Sequence, residues 1–354
     1  MKNYYIYLGT QTQKGSKGIY GLIMDERGQM LTKPKLLAEQ PSPAAFYVNE
    51  ERSFLYAVSD ADPGAIYTYR IEPETYMLTA QGSREAAGKG LCHITMDQAE
   101  RYAVVTGYDD ATLQVYPLDE DRRLTEMFCL RRHIGQGPVV KWQASAHPAC
   151  TVFSPDGAYV ISCDLGMDKL LLYTMNYESG KLHRAIGKNV TMPEGSGPCR
   201  LVFSPDGRFV YVACALSAEV ITLAYQKEAG LSLLERTSAL SPEFSSDRTY
   251  TSDVHMTRGG RDLYVSNRGE DTVAHFRVDP QSGHIELRKS YSTHGWYPKE
   301  FLLTHDEQFL IAANLLSENL AIFRRDAATG ALTLTQEVST VNAPSALLEV
   351  YKER

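Results

Sequence analysis

The chain has 354 residues, 43% hydrophobic and 22% charged, with a formal net charge of -7. That is an ordinary soluble globular composition, and an acidic balance without a Lys/Arg cluster excludes nucleic acid as an expected partner. The first ten residues carry too short an apolar run for a secretory signal or a membrane span, so no membrane association is expected and the location is read as cytoplasmic.

The N-terminal segment reads as three short strands, at residues 4–8, 19–24 and 31–37. From residue 43 a four-strand pattern begins and repeats about every fifty residues. Its clearest copy starts at Cys199. A first strand, Arg200-Leu201-Val202-Phe203, ends at Ser204-Pro205-Asp206-Gly207, where Pro presets φ, Asp bonds back to the backbone and Gly accepts a positive φ. The second strand, from Phe209 to Cys214, is apolar almost throughout and reads as buried on both faces. A third strand from Val220 and a fourth from Leu231 complete the unit.

The same turn phrase stands at Ser154-Pro155-Asp156-Gly157, and weaker relatives lie at Glu50-Glu51-Arg52, Asp97-Gln98-Ala99, Arg258-Gly259-Gly260 and His305-Asp306-Glu307. Six complete units span residues 43–338, and no segment carries a sustained helical period. The N-terminal piece lacks a first strand, and the C-terminal segment 345–351 is a lone first strand. Together they make a seventh unit. The expected fold is therefore all-β: a seven-bladed β-propeller of four-stranded antiparallel blades, with blade one built from residues 1–40 plus the C-terminal strand 344–351. Residues 1–354 are read as one domain. A parallel β-helix would have shorter coils and no split unit.

In a propeller, residues at the start of first strands and just past second strands converge on one funnel, a natural ligand site. First-strand starts carry His93, His147, Arg200, Asp253, His255 and Lys299. Second-strand ends carry Asp60, Asp109, Asp164, Asn267, Arg268 and Asn314. Arg200, Arg268 and Lys299 favour an anionic small molecule, and His beside Asp can serve as a general base. The competing role for each is strand-end capping. The histidines 93, 147 and 255 lack local ligand spacing, and the six cysteines form no Cys-x-x-Cys pair, so no metal is expected. Cys150/Cys163 and Cys199/Cys214 are placed to face each other across neighbouring strands, although a reducing compartment disfavours a disulfide. The 22 tyrosines fall mostly within strand runs and read as packing.

The segments Phe203–Val212 in Phe203-Ser204-Pro205-Asp206-Gly207-Arg208-Phe209-Val210-Tyr211-Val212, then Leu263-Tyr264-Val265-Ser266-Asn267-Arg268-Gly269 and Asp164-Leu165-Gly166-Met167-Asp168-Lys169, resemble the lactonase family of seven-bladed propellers, which includes bacterial 6-phosphogluconolactonase and fungal carboxymuconate cyclase. The resemblance covers essentially the whole chain. It implies an enzyme acting on small anionic lactones without an organic cofactor. It matches Arg268, Asn267, His255, Asp253 and His147 to family positions. It also exposes departures. The second His of a blade-four His-x-His falls on Ala149. A blade-five Pro-Arg-His-Leu becomes Pro198-Cys199-Arg200-Leu201, which on a regular strand sends the Arg to the other face. A blade-five Asn-Glu becomes Cys214-Ala215, and a blade-seven Pro-Arg becomes Pro298-Lys299.

The resulting expectation is a 6-phosphogluconolactonase-like hydrolase. In it Arg268 stabilises the oxyanion, and His147 or His255 activates water. Arg200 and Lys299 hold the substrate anion, and Asp253, Asn267, Asp164 and Asn314 complete the binding set. The alternatives are a non-catalytic metabolite- or protein-binding propeller and a muconate-type cycloisomerase. The protein is expected to be a monomer or weak homo-oligomer.

Overall fold

A computed structural model describes residues 2–244 and 248–351. The described residues form seven antiparallel sheets arranged as propeller blades. Blade one has the order Pro344–Val350, Asn3–Thr10, Gly18–Asp25, Lys35–Glu39, so the last strand of the chain is the innermost strand of the first blade. Blades two to seven each follow chain order from an inner first strand. Those inner strands are Pro43–Val48, Leu91–Met96, Pro148–Phe153, Pro198–Phe203, Tyr250–Met256 and Pro298–Leu303. Helix is confined, among the described residues, to one turn at Val140–Gln143 and two 3-10 turns at Thr12–Lys14 and Leu165–Met167.

Two details differ from the sequence reading. The fourth strand of blade one begins at Lys35, because the segment at Met30 is held only by a bridge to Met24. Blade four gains a fifth short strand, Val190–Thr191, beside Lys169–Asn176.

The repeated turn has a common hydrogen-bond lock. Ser154 Oγ donates to Asp156 Oδ1 at 2.6 Å and accepts from Tyr159 N at 2.9 Å. Ser204 does the same with Asp206 and Phe209 at 2.7 and 2.9 Å. The weaker relatives keep the lock with other acceptors: Asn49 Oδ1 takes Phe54 N, Asp97 Oδ1 takes Tyr102 N, and Thr304 Oγ1 takes Phe309 N. The turn's last residue has positive φ in each, including the non-glycines Arg52, Glu100 and Glu307. The side-chain lock therefore holds the turn where glycine is missing.

Seven apolar clusters fill the spaces between neighbouring blades, one per pair, including blade seven against blade one. Second strands sit between two such clusters. In blade five Tyr211 packs toward blade six while Val210 and Val212 pack toward blade four. This two-sided burial is the physical reason that second strands read as unbroken apolar runs.

Candidate active site

Every blade carries the same irregularity at the start of its inner strand. The pairing with the second strand skips one residue at Ala44, Cys92, Ala149, Cys199, Ser252, Lys299 and Ser345. Such a bulge breaks strict face alternation and re-aims the side chains beside it. The residues immediately after the bulges occupy equivalent positions around the axis: Ala346, Ala45, His93, Cys150, Arg200, Asp253 and Glu300, from blade one to blade seven. Three are small. The other four bring an imidazole, a guanidinium and two carboxyls to one level.

This arrangement corrects the alternation argument for Arg200. The bulge at Cys199 keeps Arg200 in the central channel, where it acts electrostatically on His93, Asp253, Glu300 and Lys299. Its Nη1 donates to the Ala149 and Cys199 carbonyls, at 2.5 and 3.2 Å. His93 Nδ1 is buried without a partner, and burial reinforced by Arg200 pushes its pKa down to about 3, so the ring is neutral. Lys299 faces Asp60 and Glu300. Burial depresses its pKa, and Arg200 and Arg268 add to that effect against the two carboxyls.

Asp253 and His255 form an ion pair, with Nε2 3.1 Å from Oδ2. Burial works against the imidazolium, but the Asp253 carboxylate outweighs it and holds the His255 pKa above its usual value. Burial likewise opposes the Asp253 charge, yet His255, Arg200 and the Phe301 amide keep that carboxyl below its ordinary range. The His255 side chain is 41% exposed, which places the pair on an open channel wall.

Nearer the mouth, His147 precedes the inner strand of blade four. Its ring stacks on Tyr108, centroids 4.5 Å apart, and Nδ1 lies 3.1 Å from the Tyr108 carbonyl. A carbonyl only accepts, so Nδ1 carries the proton and Nε2 the lone pair. The Ser145 hydroxyl is 3.2 Å from Nε2. Arg268 also acts electrostatically on Tyr108. Arg268 Nη1 donates to the Tyr297 hydroxyl at 2.9 Å, Nη2 to the Thr251 carbonyl at 3.4 Å, and Nε is buried without a partner. Tyr250 pairs across the strands with Arg268 and meets Trp142 edge-on at 5.7 Å, so the arginine stands within an aromatic wall.

Three expected binding residues are placed elsewhere. Asp164 is fully buried: Oδ1 accepts from the His147 and Met167 amides at 2.9 and 3.0 Å, and Oδ2 lies 2.6 Å from His133 Nδ1. It supports the His147 backbone from behind. Gly166 lets this support approach, since a Cβ there would fall 1.9 Å from the Ser145 carbonyl. Asn267 and Asn314 are fully buried latches, whose Nδ2 groups donate to the Ala239 and Thr293 carbonyls at 2.6 and 2.8 Å. The strand-end position that suggested all three is a structural one, and after Asn267 it is the next residue, Arg268, that reaches the Tyr297 hydroxyl.

Sequence reasoning overlooked Tyr108, Tyr297 and Glu300. The two tyrosines occupy the same positional classes as Arg268 and His147, and that signal was present. Glu300 stood hidden beside Lys299, because only the bulge shows that both reach the channel. The cysteines are all unpaired. Cys150 and Cys163 are directly opposed, whereas the bulge offsets Cys199 from Cys214. Among the described residues, no group of three His, Cys, Asp or Glu side chains is placed to hold a metal ion.

Residues 5–349 match the family model described as "Lactonase, 7-bladed beta-propeller". The chain belongs to the lactonase family of seven-bladed β-propellers. It is 35% identical over 346 residues to 6-phosphogluconolactonase of Bacillus subtilis, covering 97% of both chains. It is 29% identical over 302 residues to a 6-phosphogluconolactonase of Formosa agariphila, covering 83% of this chain and 84% of that one. Among solved structures, the periplasmic gluconolactonase of Pseudomonas aeruginosa superposes with a TM-score of 0.93 at 28% identity, over 99% of each chain. Among the described residues, no helix is long and apolar enough to cross a membrane.

Proposed function

We propose that this lactonase-family member hydrolyses a small anionic sugar lactone of the 6-phosphogluconolactone type in its central channel. The observation that carries the reading is the pairing of an oriented imidazole with a cationic throat. His147 presents its Nε2 lone pair at the mouth beside Tyr108 and Arg268, while Arg200 and Lys299 stand below. The relatives named as lactonases support the same substrate class.

In this reading Arg200 and Lys299 hold the substrate phosphate or carboxylate. His147 Nε2 takes a proton from the attacking water, and Arg268 neutralises the oxyanion forming at the acyl carbon. His147 suits the base better than His255, because the Asp253 carboxylate already engages His255 Nε2 at 3.1 Å and raises its pKa. The reaction draws on side chains alone, without an organic cofactor. Ala149 and Ala215 lie in the apolar cluster between blades five and six, so neither offers a functional group for cycloisomerisation. Six unpaired cysteines suit a reducing, cytoplasmic setting.

The test is hydrolysis of freshly made 6-phosphogluconolactone, measured against its spontaneous opening. The wild type is expected to exceed the background, and Arg268→Ala to reduce kcat by about 10²–10³-fold. No excess rate at high protein concentration, with a sugar phosphate or aldonate raising the melting temperature, would instead identify a binding module.

A further inference from the structure

Two carboxyls stand on neighbouring blades at the same level of the channel, and they are treated differently. The Asp253 carboxylate is occupied by His255 and by the Phe301 amide at 3.2 Å. Glu300 accepts one hydrogen bond, from the Leu347 amide of blade one at 2.8 Å, through Oε1. That bond draws its carboxyl toward blade one, where the equivalent ring residue is Ala346 and the next blade contributes Ala45. The ring is thus open on the side into which Glu300 leans. A ligand anchored on Arg200 and Lys299 has its free space there.

We propose that Glu300 donates the proton to the ring oxygen that leaves when the lactone opens. The inference rests on the lactonase reading above and adds a proton donor to it. Water adds to the acyl carbon as its proton passes to His147 Nε2. The bond between the acyl carbon and the ring oxygen then breaks, its electron pair stays on that oxygen, and the Glu300 proton moves onto it. The product is a hydroxy acid that ionises. Glu300 regains a proton from the His147 imidazolium or from solvent, and the net reaction releases one proton.

The charges around Glu300 suit the role. Burial raises its pKa to about 7, and Asp253 pushes the same way. The Leu347 amide, Arg200 and Lys299 oppose them. His255 on the blade-six wall and Asp60 beside Lys299 complete the facing charges. One carboxyl is held ionised and its neighbour holds a proton near neutrality, a division that separates acid from base in hydrolytic sites.

The experiment compares wild type, Glu300→Gln and Glu300→Asp on 6-phosphogluconolactone, with the spontaneous rate subtracted. Glutamine keeps an oxygen for the Leu347 amide and lacks the transferable proton. The wild-type kcat is expected to fall as pH rises through about 7, since the donor must be protonated. Glu300→Gln is expected to lower kcat by about 10²-fold, leave KM within about threefold and lose that limb. Glu300→Asp is expected to recover part of the rate and show a titrating limb again. The substrate phosphate titrates alike in all three proteins, so a difference between profiles belongs to residue 300. A Gln variant with wild-type kcat and the same limb overturns the proposal while leaving the lactonase reading intact. If the Gln variant does not fold, an Asp variant with an unshifted limb and full rate overturns it equally. A wild type that never exceeds the spontaneous rate overturns the lactonase reading, and the Glu300 role falls with it.

Discussion

Asp164→Ala separates two roles for that carboxylate. In the fold it accepts from three donors, His147 N, Met167 N and His133 Nδ1, at 2.9, 3.0 and 2.6 Å. Alanine strands all three, and each buried donor left unsatisfied costs about 1–3 kcal/mol. His147 N is only partly buried, so the total is about 3–6 kcal/mol, a large share of a typical folding free energy. Asn keeps one oxygen for the two amides and disturbs only the His133 contact, so Asp164→Asn should cost about 1–2 kcal/mol. Urea unfolding at pH 7 reads both variants, with the midpoint falling while the slope stays constant. The Ala variant should also lose kcat, because its loss frees the loop that orients His147. A wild-type unfolding midpoint in Asp164→Ala, accompanied by a raised KM, would refute this reasoning and return Asp164 to the substrate.

Removing residues 342–354 takes the innermost strand from blade one and one wall from the blade seven–blade one cluster. The truncated chain should unfold cooperatively, and a wild-type melting temperature would contradict ring closure through that strand. The raised pKa of His255 has a definite sign in stability: its contribution is fully present below the unfolded value of about 6.5 and disappears as pH rises through the folded value. The urea midpoint of the wild type, relative to His255→Gln, should therefore grow as pH falls from 9 toward 6. A difference that is flat with pH would show that the Asp253 pairing stabilises nothing.

The architecture was legible because its signals are local and repeated. Pro-Asp-Gly turns, apolar second strands and a missing first strand at one end each follow from short-range chemistry. The same regularity misled the site reading. A bulge spends one residue of sequence and leaves no mark in composition, so the alternation rule sent Arg200 outward and left Glu300 unnoticed. Asp164, Asn267 and Asn314 share a strand-end position with polar character, and nothing in the sequence separates a latch from a ligand-facing group there. His133 is 31 residues from Asp164 and belongs to no repeat, so its contact became visible only with the blade three–blade four connection in place.

The seven equivalent bulges have a further consequence for how such a protein changes. Each re-aims the residue that follows it without altering the strand pairs outside it. Residues there can be exchanged between blades as teeth are exchanged on a wheel, while the interblade clusters continue to hold the rim. Arg200, Asp253 and Glu300 are three settings of one slot. Substrate preference in this protein is therefore open to revision at single slots, with the scaffold left in place.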